Sequence, residues 1–133
     1  MVRQQFDIQQ YWKVIIFYDV DFDHFSIIVE DLVAAGAFSG LIWKIYDMLF
    51  YQQAKAATFS NPEEHISVVL FNKHDRREDY INSIVHEAEH VKQAMLEAYN
   101  VEDEGEPPAY TIGYLMSQMY RVFSRLICDY KRP

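Results

Sequence analysis

The sequence predicts an α+β fold that is mostly helical, with four helices and a small two-stranded sheet in the order β-α-α-β-α-α. Two short segments, residues 11–20 and 65–73, are dense in β-branched and aromatic residues, which is typical of strands. Four longer segments have the capping residues and apolar spacing of helices. The chain has 133 residues, 50% of them hydrophobic, without a repeat or linker, so we expect one domain over residues 1–133.

The first half of the chain predicts one strand and two helices. The strand is YWKVIIFYDV. Asp21 or Asp23 then caps a helix through FSIIVEDLVAAGA, which Gly36 ends because glycine tolerates the left-handed backbone after a helix. With Ser39 as its cap, the second helix runs through SGLIWKIYDMLFYQQAKAA, and its apolar side consists of Leu41, Ile42, Ile45 and Leu49.

The second half predicts one further strand and two longer helices. The segment TFSNPEE has the composition of a turn, and HISVVLFNK follows it as the second strand. Asp75 begins a long helix that extends to about Tyr99. An acidic loop, NVEDEGEPP, leads to Pro107, which at a first helical position begins a last helix to about Tyr130.

Composition and charge exclude several classes of partner. The net charge of −8 argues against nucleic acid, which requires a basic surface. No segment approaches the roughly 18 consecutive apolar residues of a membrane span. Cys128 is the only cysteine, and the start MVRQQFDIQQYWK lacks the apolar core of a signal peptide. We therefore expect a cytoplasmic protein without a nucleic-acid or membrane partner, while the oligomeric state is not specified.

The segment HEAEH, residues 86–90, carries the clearest chemical signal. On a helix, His86 and His90 lie one turn apart on one face, so both imidazoles can bind one zinc ion. The metal lowers the pKa of a coordinated water, and a glutamate at the place of Glu87 removes its proton and passes it to a leaving amine. The spacing is therefore consistent with zinc ligands at 86 and 90 and a general base at 87, but by itself it does not establish them.

A helical wheel places the two histidines away from the core. They lie almost opposite an apolar arc that consists of Ile81, Ile84, Val85, Ala88, Val91 and Met95. Two interpretations remain, a metal site and a solvated helix face, and a third protein ligand decides between them. Glu97 shares the face of the histidines but lies roughly 10 Å beyond His90 along the helix, too far to join them on one ion. The third ligand must therefore come from another segment.

The acidic loop offers three candidate third ligands, which are Asp103, Glu104 and Glu106. Glu106 directly precedes Pro107, which restrains its backbone at the mouth of the last helix. On that helix Glu106 lines up with Tyr110 and with the small residues Gly113 and Ser117. Small residues permit close approach of a neighbour, so we expect this side of the last helix to lie near the histidine helix.

The segment HEAEHVKQAM, the acidic loop and GEPPAYTIGYLM together resemble the small zincin-like metallopeptidases of bacterial mobile elements and phages. The resemblance covers about residues 58–120 and implies a minimal zincin-like domain. It implies that His86, His90 and Glu106 bind Zn²⁺ and that Glu87 is the general base. It also implies that TFSNPEEHISVVLFN is the edge strand of a cleft, so that an extended peptide substrate adds along the second predicted strand by main-chain hydrogen bonds.

One position departs from the pattern of that family. Its frequent acidic pair before proline is here Gly105-Glu106, which favours Glu106 as the ligand and leaves Glu104 as a substitute. Tyr110 has two interpretations: it polarises a substrate carbonyl, or it anchors the packing of its helix.

Two functions are consistent with these patterns. The first is a zinc-dependent peptidase or amide hydrolase, and Glu87 favours it because a structural zinc site needs no glutamate at that place. The second is a non-catalytic metal-binding, structural or interaction protein of a mobile element. The length of 133 residues favours this second function, because a peptidase needs chain to build its substrate subsites.

Overall fold

A four-stranded mixed sheet lies at the centre of the computed structural model, which describes residues 1–52 and 54–129. The strands are β1 (Val2–Ile8), β2 (Trp12–Val20), β3 (Ala56–Asn61) and β4 (Ile66–Asn72). Their order across the sheet is β1-β2-β4-β3. The central strands β2 and β4 are parallel, and each also pairs with one antiparallel neighbour, β1 or β3. β1 and β3 are therefore the edge strands.

Four helices accompany the sheet, and they are α1 (Phe25–Ala34), α2 (Ser39–Tyr51), α3 (Arg77–Ala98) and α4 (Glu106–Leu126). A short 3-10 turn, Phe22–His24, precedes α1. Asp21 caps this turn by accepting a 3.0 Å hydrogen bond from the main-chain N–H of Asp23, whereas the N-cap position of α1 itself is occupied by His24 and not by either predicted aspartate. None of the described helices has both the length and the apolar character required to cross a membrane.

Successive side chains of β2 point to opposite faces of the sheet, and a hydrophobic core lies on each face. Val14, Ile16 and Tyr18 pack with residues of α3 and α4, whereas Ile15 and Phe17 pack with residues of α1 and α2. The sheet is thus covered by one pair of helices on each face. Burial on both faces explains why β2 and β4 are nearly continuous apolar segments in the sequence.

The predicted two-stranded sheet and the order β-α-α-β-α-α are wrong, although the fold is α+β with four helices. The observed order, β-β-α-α-β-β-α-α, includes β1 and β3 as additional strands. β1 has the sequence VRQQFDI, whose polar residues do not indicate a strand. Seven residue pairs nevertheless join it to β2. β3 has the sequence AATFSN, for which a helix end and a turn were predicted. Pairing with an apolar central strand outweighs the weak strand propensity of both segments.

The helix ends differ from the predictions by a few residues. α3 begins at Arg77 instead of Asp75, and α2 begins with Ser39, so that Phe38 occupies the N-cap position. The second helix was predicted to continue to Ala57, past Gln53, which lies outside the described residues, but α2 ends at Tyr51, and Ala56 and Ala57 belong to β3. The predicted end of the last helix, Tyr130, also lies outside the described residues.

Candidate metal centre and cleft

Helix α3 holds both histidines of HEAEH on the side away from the core. Ile81 and Val85, at the margin of the predicted apolar arc, are exposed, and its buried members are Ile84, Ala88, Val91 and Met95. His86 and His90 are exposed, and their Nε2 atoms lie 3.1 Å apart. The ring planes are inclined by 79°. The spacing of one helical turn thus brings the two imidazole nitrogens together.

Glu87 lies on the same helix and contacts strand β3. Its side chain is buried, and Oε2 accepts a 2.6 Å hydrogen bond from the hydroxyl of Thr58. A buried carboxylate without a partner is strongly destabilising, so this hydrogen bond offsets part of the cost of removing Glu87 from water. It also fixes the orientation of the carboxylate beside the two histidines.

A cleft of about 580 Å³ lies between α3 and the edge strand β3. Its walls consist of Ala56, Ala57, Thr58 and Ser60 from β3 and of His86, Glu87, His90, Gln93, Ala94 and Glu97 from α3. β3 pairs with β4 on one side only within the described sheet. An edge strand therefore lines the cleft beside HEAEH, but it is β3; the second predicted strand, along which the substrate was expected to bind, is the central strand β4, which pairs on both sides.

The two histidine nitrogens fit two ligand positions of a zinc ion. Zn–N bonds of about 2.0–2.1 Å at tetrahedral angles place two ligand nitrogens about 3.3–3.4 Å apart. The 3.1 Å distance between the Nε2 atoms of His86 and His90 is close to that separation, and it also suits a hydrogen bond between one protonated and one unprotonated nitrogen. Within residues 1–52 and 54–129, no three His, Cys, Asp or Glu side chains are grouped as metal ligands.

The structure places Glu106 on a side of α4 that faces solvent. Glu106 is the first residue of α4 and is exposed, and Tyr110, one turn further on, is 72% exposed. A Cβ atom added at Gly113 would meet nothing within 4 Å. α4 packs into the core through its opposite side, with Leu115 and Met119 fully buried. α4 does pack against the histidine helix α3, but the prediction that it does so through the side carrying Glu106 and Gly113 is wrong.

Tyr110 lines a second, apolar cavity of about 520 Å³. This cavity lies between the β1–β2 turn, the end of α3 and the start of α4, and its lining includes Tyr11, Leu96, Tyr99 and Pro107. The residues that line the HEAEH cleft do not include Tyr110 or Glu106.

Asp103 is engaged by a lysine of α3. The buried Lys92 Nζ lies 2.8 Å from Oδ1 of Asp103 and 2.6 Å from Oε1 of Glu89. The hydrogen bond to Asp103, together with that to Glu89, raises the pKa of the Lys92 ammonium. Asp103 therefore anchors the acidic loop to α3, and Glu104 is exposed on the same loop.

Thr58 and Ser60 are cleft residues that the sequence did not identify. The hydroxyl oxygen of Ser60 lies 2.7 Å from that of Ser67, which accepts a 2.9 Å hydrogen bond from Nε1 of the buried Trp12. These contacts connect the edge strand to the core. Polar Thr58 and Ser60 on either side of Phe59 form a period-two pattern that indicates a strand, but the Asn-Pro pair that follows favours a turn.

Comparison with protein-family models, with curated proteins and with solved structures finds no match to this chain. The resemblance to zincin-like metallopeptidases therefore depends on two short motifs alone.

Proposed function

We propose that this chain is a zinc-dependent peptidase or amide hydrolase that acts on an extended peptide in the cleft between α3 and β3. The observation that carries this proposal is the convergence of the His86 and His90 Nε2 atoms, 3.1 Å apart, beside the buried carboxylate of Glu87. Two histidines, an adjacent carboxylate and an edge strand occur together in one cleft, and each would have a role in the hydrolysis of a peptide bond.

Each group in the cleft would have one role in the proposed reaction. A bound zinc ion would supply a Lewis acid that polarises the scissile carbonyl and lowers the pKa of water. Glu87 accepts the proton of the attacking water and delivers it to the leaving nitrogen. Thr58 holds Oε2 of Glu87, so the carboxylate keeps one orientation during both transfers. β3 offers main-chain groups that bind the substrate in an extended conformation.

Glu106 is proposed as the third ligand on the resemblance alone. Its position on the solvent side of α4 does not support that role, and Asp103 is bound to Lys92. A catalytic site with two histidine ligands would leave more positions for water and substrate, and it would bind zinc more weakly than a three-ligand site.

Zinc content and peptide cleavage test the proposal separately. His86→Ala and His90→Ala proteins should lose zinc, whereas Glu87→Gln should keep zinc and lose the cleavage of a peptide library. Glu97→Gln is the matched control, because it changes a carboxylate of the same cleft that lies away from the histidines. The metal site is misassigned if His86→Ala protein holds as much zinc as the parent. Glu106→Ala decides the third ligand in the same measurement.

The alternative is a non-catalytic metal-binding or interaction protein of a mobile element. The exposure of Glu106 and Tyr110 favours it, because neither residue lines the cleft that contains the histidines. A parent protein that holds zinc and cleaves no peptide under broad conditions would support this alternative. A cytoplasmic location, proposed from the single cysteine, applies to both functions.

A further inference from the structure

An exposed cluster of aromatic rings covers the outer side of α2 and the turn before α1. We define this aromatic face as Phe22, Phe25, Trp43, Tyr46, Phe50 and Tyr51. Its centre is formed by Phe22, Tyr46 and Phe50, whose ring centroids lie 5.1 to 5.8 Å apart in pairs. Trp43, Tyr46 and Phe50 follow one another at helical spacing, so they form one ridge along α2.

Most of these rings lie outside the core, although Phe25 is partly buried and packs against it. Trp43 is 66% exposed, Phe50 is 52% exposed and Tyr51 is 59% exposed. α2 contacts the sheet through its other side, where Ile45, Met48 and Leu49 are buried. Contiguous exposed aromatic surface of this kind marks interaction sites, because tryptophan and tyrosine contribute most of the binding energy of many interfaces.

The charge around the aromatic face is negative. The segment of residues 21–51 contains one lysine, Lys44, and five acids, which are Asp21, Asp23, Glu30, Asp31 and Asp47. Asp31 forms an ion pair with Arg3, so four acids stand against one lysine. Asp23 follows Phe22 in the chain, and Asp47 follows Tyr46, and both carboxylates are exposed. Like charges would oppose the docking of a second copy face to face, and they would also oppose an anionic lipid surface.

We propose that the aromatic face binds a basic amphipathic helix of another protein. The apolar side of that helix would lie along the ridge of Trp43, Tyr46 and Phe50. Lysine and arginine side chains at its margins would pair with Asp23 and Asp47. This surface is on the face of the sheet opposite to α3, so the interaction is independent of the proposed hydrolase site.

A designed helical peptide tests this interaction, with leucines on one side and lysines along both margins. Fluorescence anisotropy of the labelled peptide should show binding to the parent protein that weakens as salt rises from about 0.05 to about 0.5 M, because the charges are exposed. The Trp43→Ala/Phe50→Ala protein should bind at least about tenfold more weakly. The Tyr11→Ala/Tyr120→Ala protein should bind as the parent does, because it loses two rings of similar exposure elsewhere, 64% and 60%.

Several results would overturn the inference. The first is that the parent protein shows no binding at protein concentrations up to about 100 μM, because an interface with aromatic anchors should bind more tightly than that. The others are equal binding of a peptide with glutamates in place of the lysines, and equal loss in both double variants. A dimer of the parent that Trp43→Ala/Phe50→Ala abolishes would assign the face to a second copy. Binding to anionic vesicles that depends on the same two residues would assign it to a membrane surface.

Discussion

The hydroxyl of Thr58 donates a 2.6 Å hydrogen bond to Oε2 of Glu87 and so joins the edge strand β3 to the histidine helix α3. Thr58→Val keeps the shape of the side chain but removes the donor, which leaves the buried carboxylate without this partner. We expect the free energy of unfolding to fall by about 1–3 kcal/mol. Denaturant titration measures it, with Thr58→Ser as the control that keeps the hydroxyl. Equal stability of the Val and Ser variants would contradict the assigned role of the hydrogen bond.

Substitution by alanine should change the stability of the protein in opposite directions at Gly36 and at Gly113. Gly36 has φ of 88°, and a Cβ atom there would lie 2.6 Å from Nδ2 of Asn61, which donates to the Ala35 carbonyl. We expect Gly36→Ala to destabilise the protein by about 1–2 kcal/mol or more, because the left-handed backbone disfavours a side chain. Gly113 lies within α4 with open space around it, so Gly113→Ala should stabilise by about 0.5–1 kcal/mol.

Thermal or denaturant unfolding of these two variants measures both effects. A loss of stability in Gly113→Ala would mean that α4 packs closely against a neighbour at that place. The side of α4 that carries Glu106 would then lie nearer to other elements than the structure places it.

The environment of His74 leads us to expect a loss of stability at acidic pH. Its Nδ1 donates to the Asn72 carbonyl at 2.7 Å, and its Nε2 lies 2.7 Å from the Ser83 hydroxyl, which suits a neutral ring. Burial lowers the pKa of His74 in the folded protein, against a smaller opposing contribution from the hydrogen bond to Asn72. The unfolded chain therefore binds the proton more readily, and stability falls as pH decreases below the unfolded value of about 6.5.

Urea unfolding at several pH values between about 8 and 5 measures this dependence, which spans the unfolded pKa. The His74→Gln protein should be less stable than the parent at pH 8, because the two hydrogen bonds change, and its stability should depend less on pH. Identical pH profiles for the two proteins would exclude His74 as the source.

The contact between Lys92 and Asp103 should stabilise the acidic loop. Asp103→Asn keeps an acceptor but removes the charge of one of the two carboxylates that contact the buried ammonium, so we expect a loss of about 1 kcal/mol, roughly the difference between a charged and a neutral hydrogen bond. Hydrogen exchange should become faster at residues 101–105, while the zinc content should not change. Glu102→Gln is the control, because it alters an exposed acid of the same loop. Loss of zinc in Asp103→Asn alone would instead make Asp103 the third ligand.

The helices and the two central strands were predictable because each is encoded locally. β2 and β4 are apolar over nearly their whole length, and α3 carries an uninterrupted helical pattern. β1 and β3 were not predictable in this way, because their residues have weak strand propensity. Their main-chain pairing with β2 and β4 is a long-range interaction that composition does not reveal.

Some features of the candidate site were likewise predictable from local sequence, and others were not. The convergence of His86 and His90 follows from helical periodicity, and it is present in the structure. The hydrogen bond between Thr58 and Glu87 joins residues 29 positions apart and depends on how β3 lies against α3. The orientation of Glu106 depends on which side of α4 buries its apolar residues, and the small residues Gly113 and Ser117 pointed to the wrong side.

The sequence by itself determined four helices, two buried strands and a pair of histidines that face away from the core. These features depend on interactions between residues a few positions apart, whose geometry the backbone sets. Only the tertiary structure decided the size of the sheet, the cleft beside β3 and the position of Glu106. These depend on which distant surfaces bury the most apolar area and satisfy the most main-chain hydrogen bonds together, so no single segment specifies them.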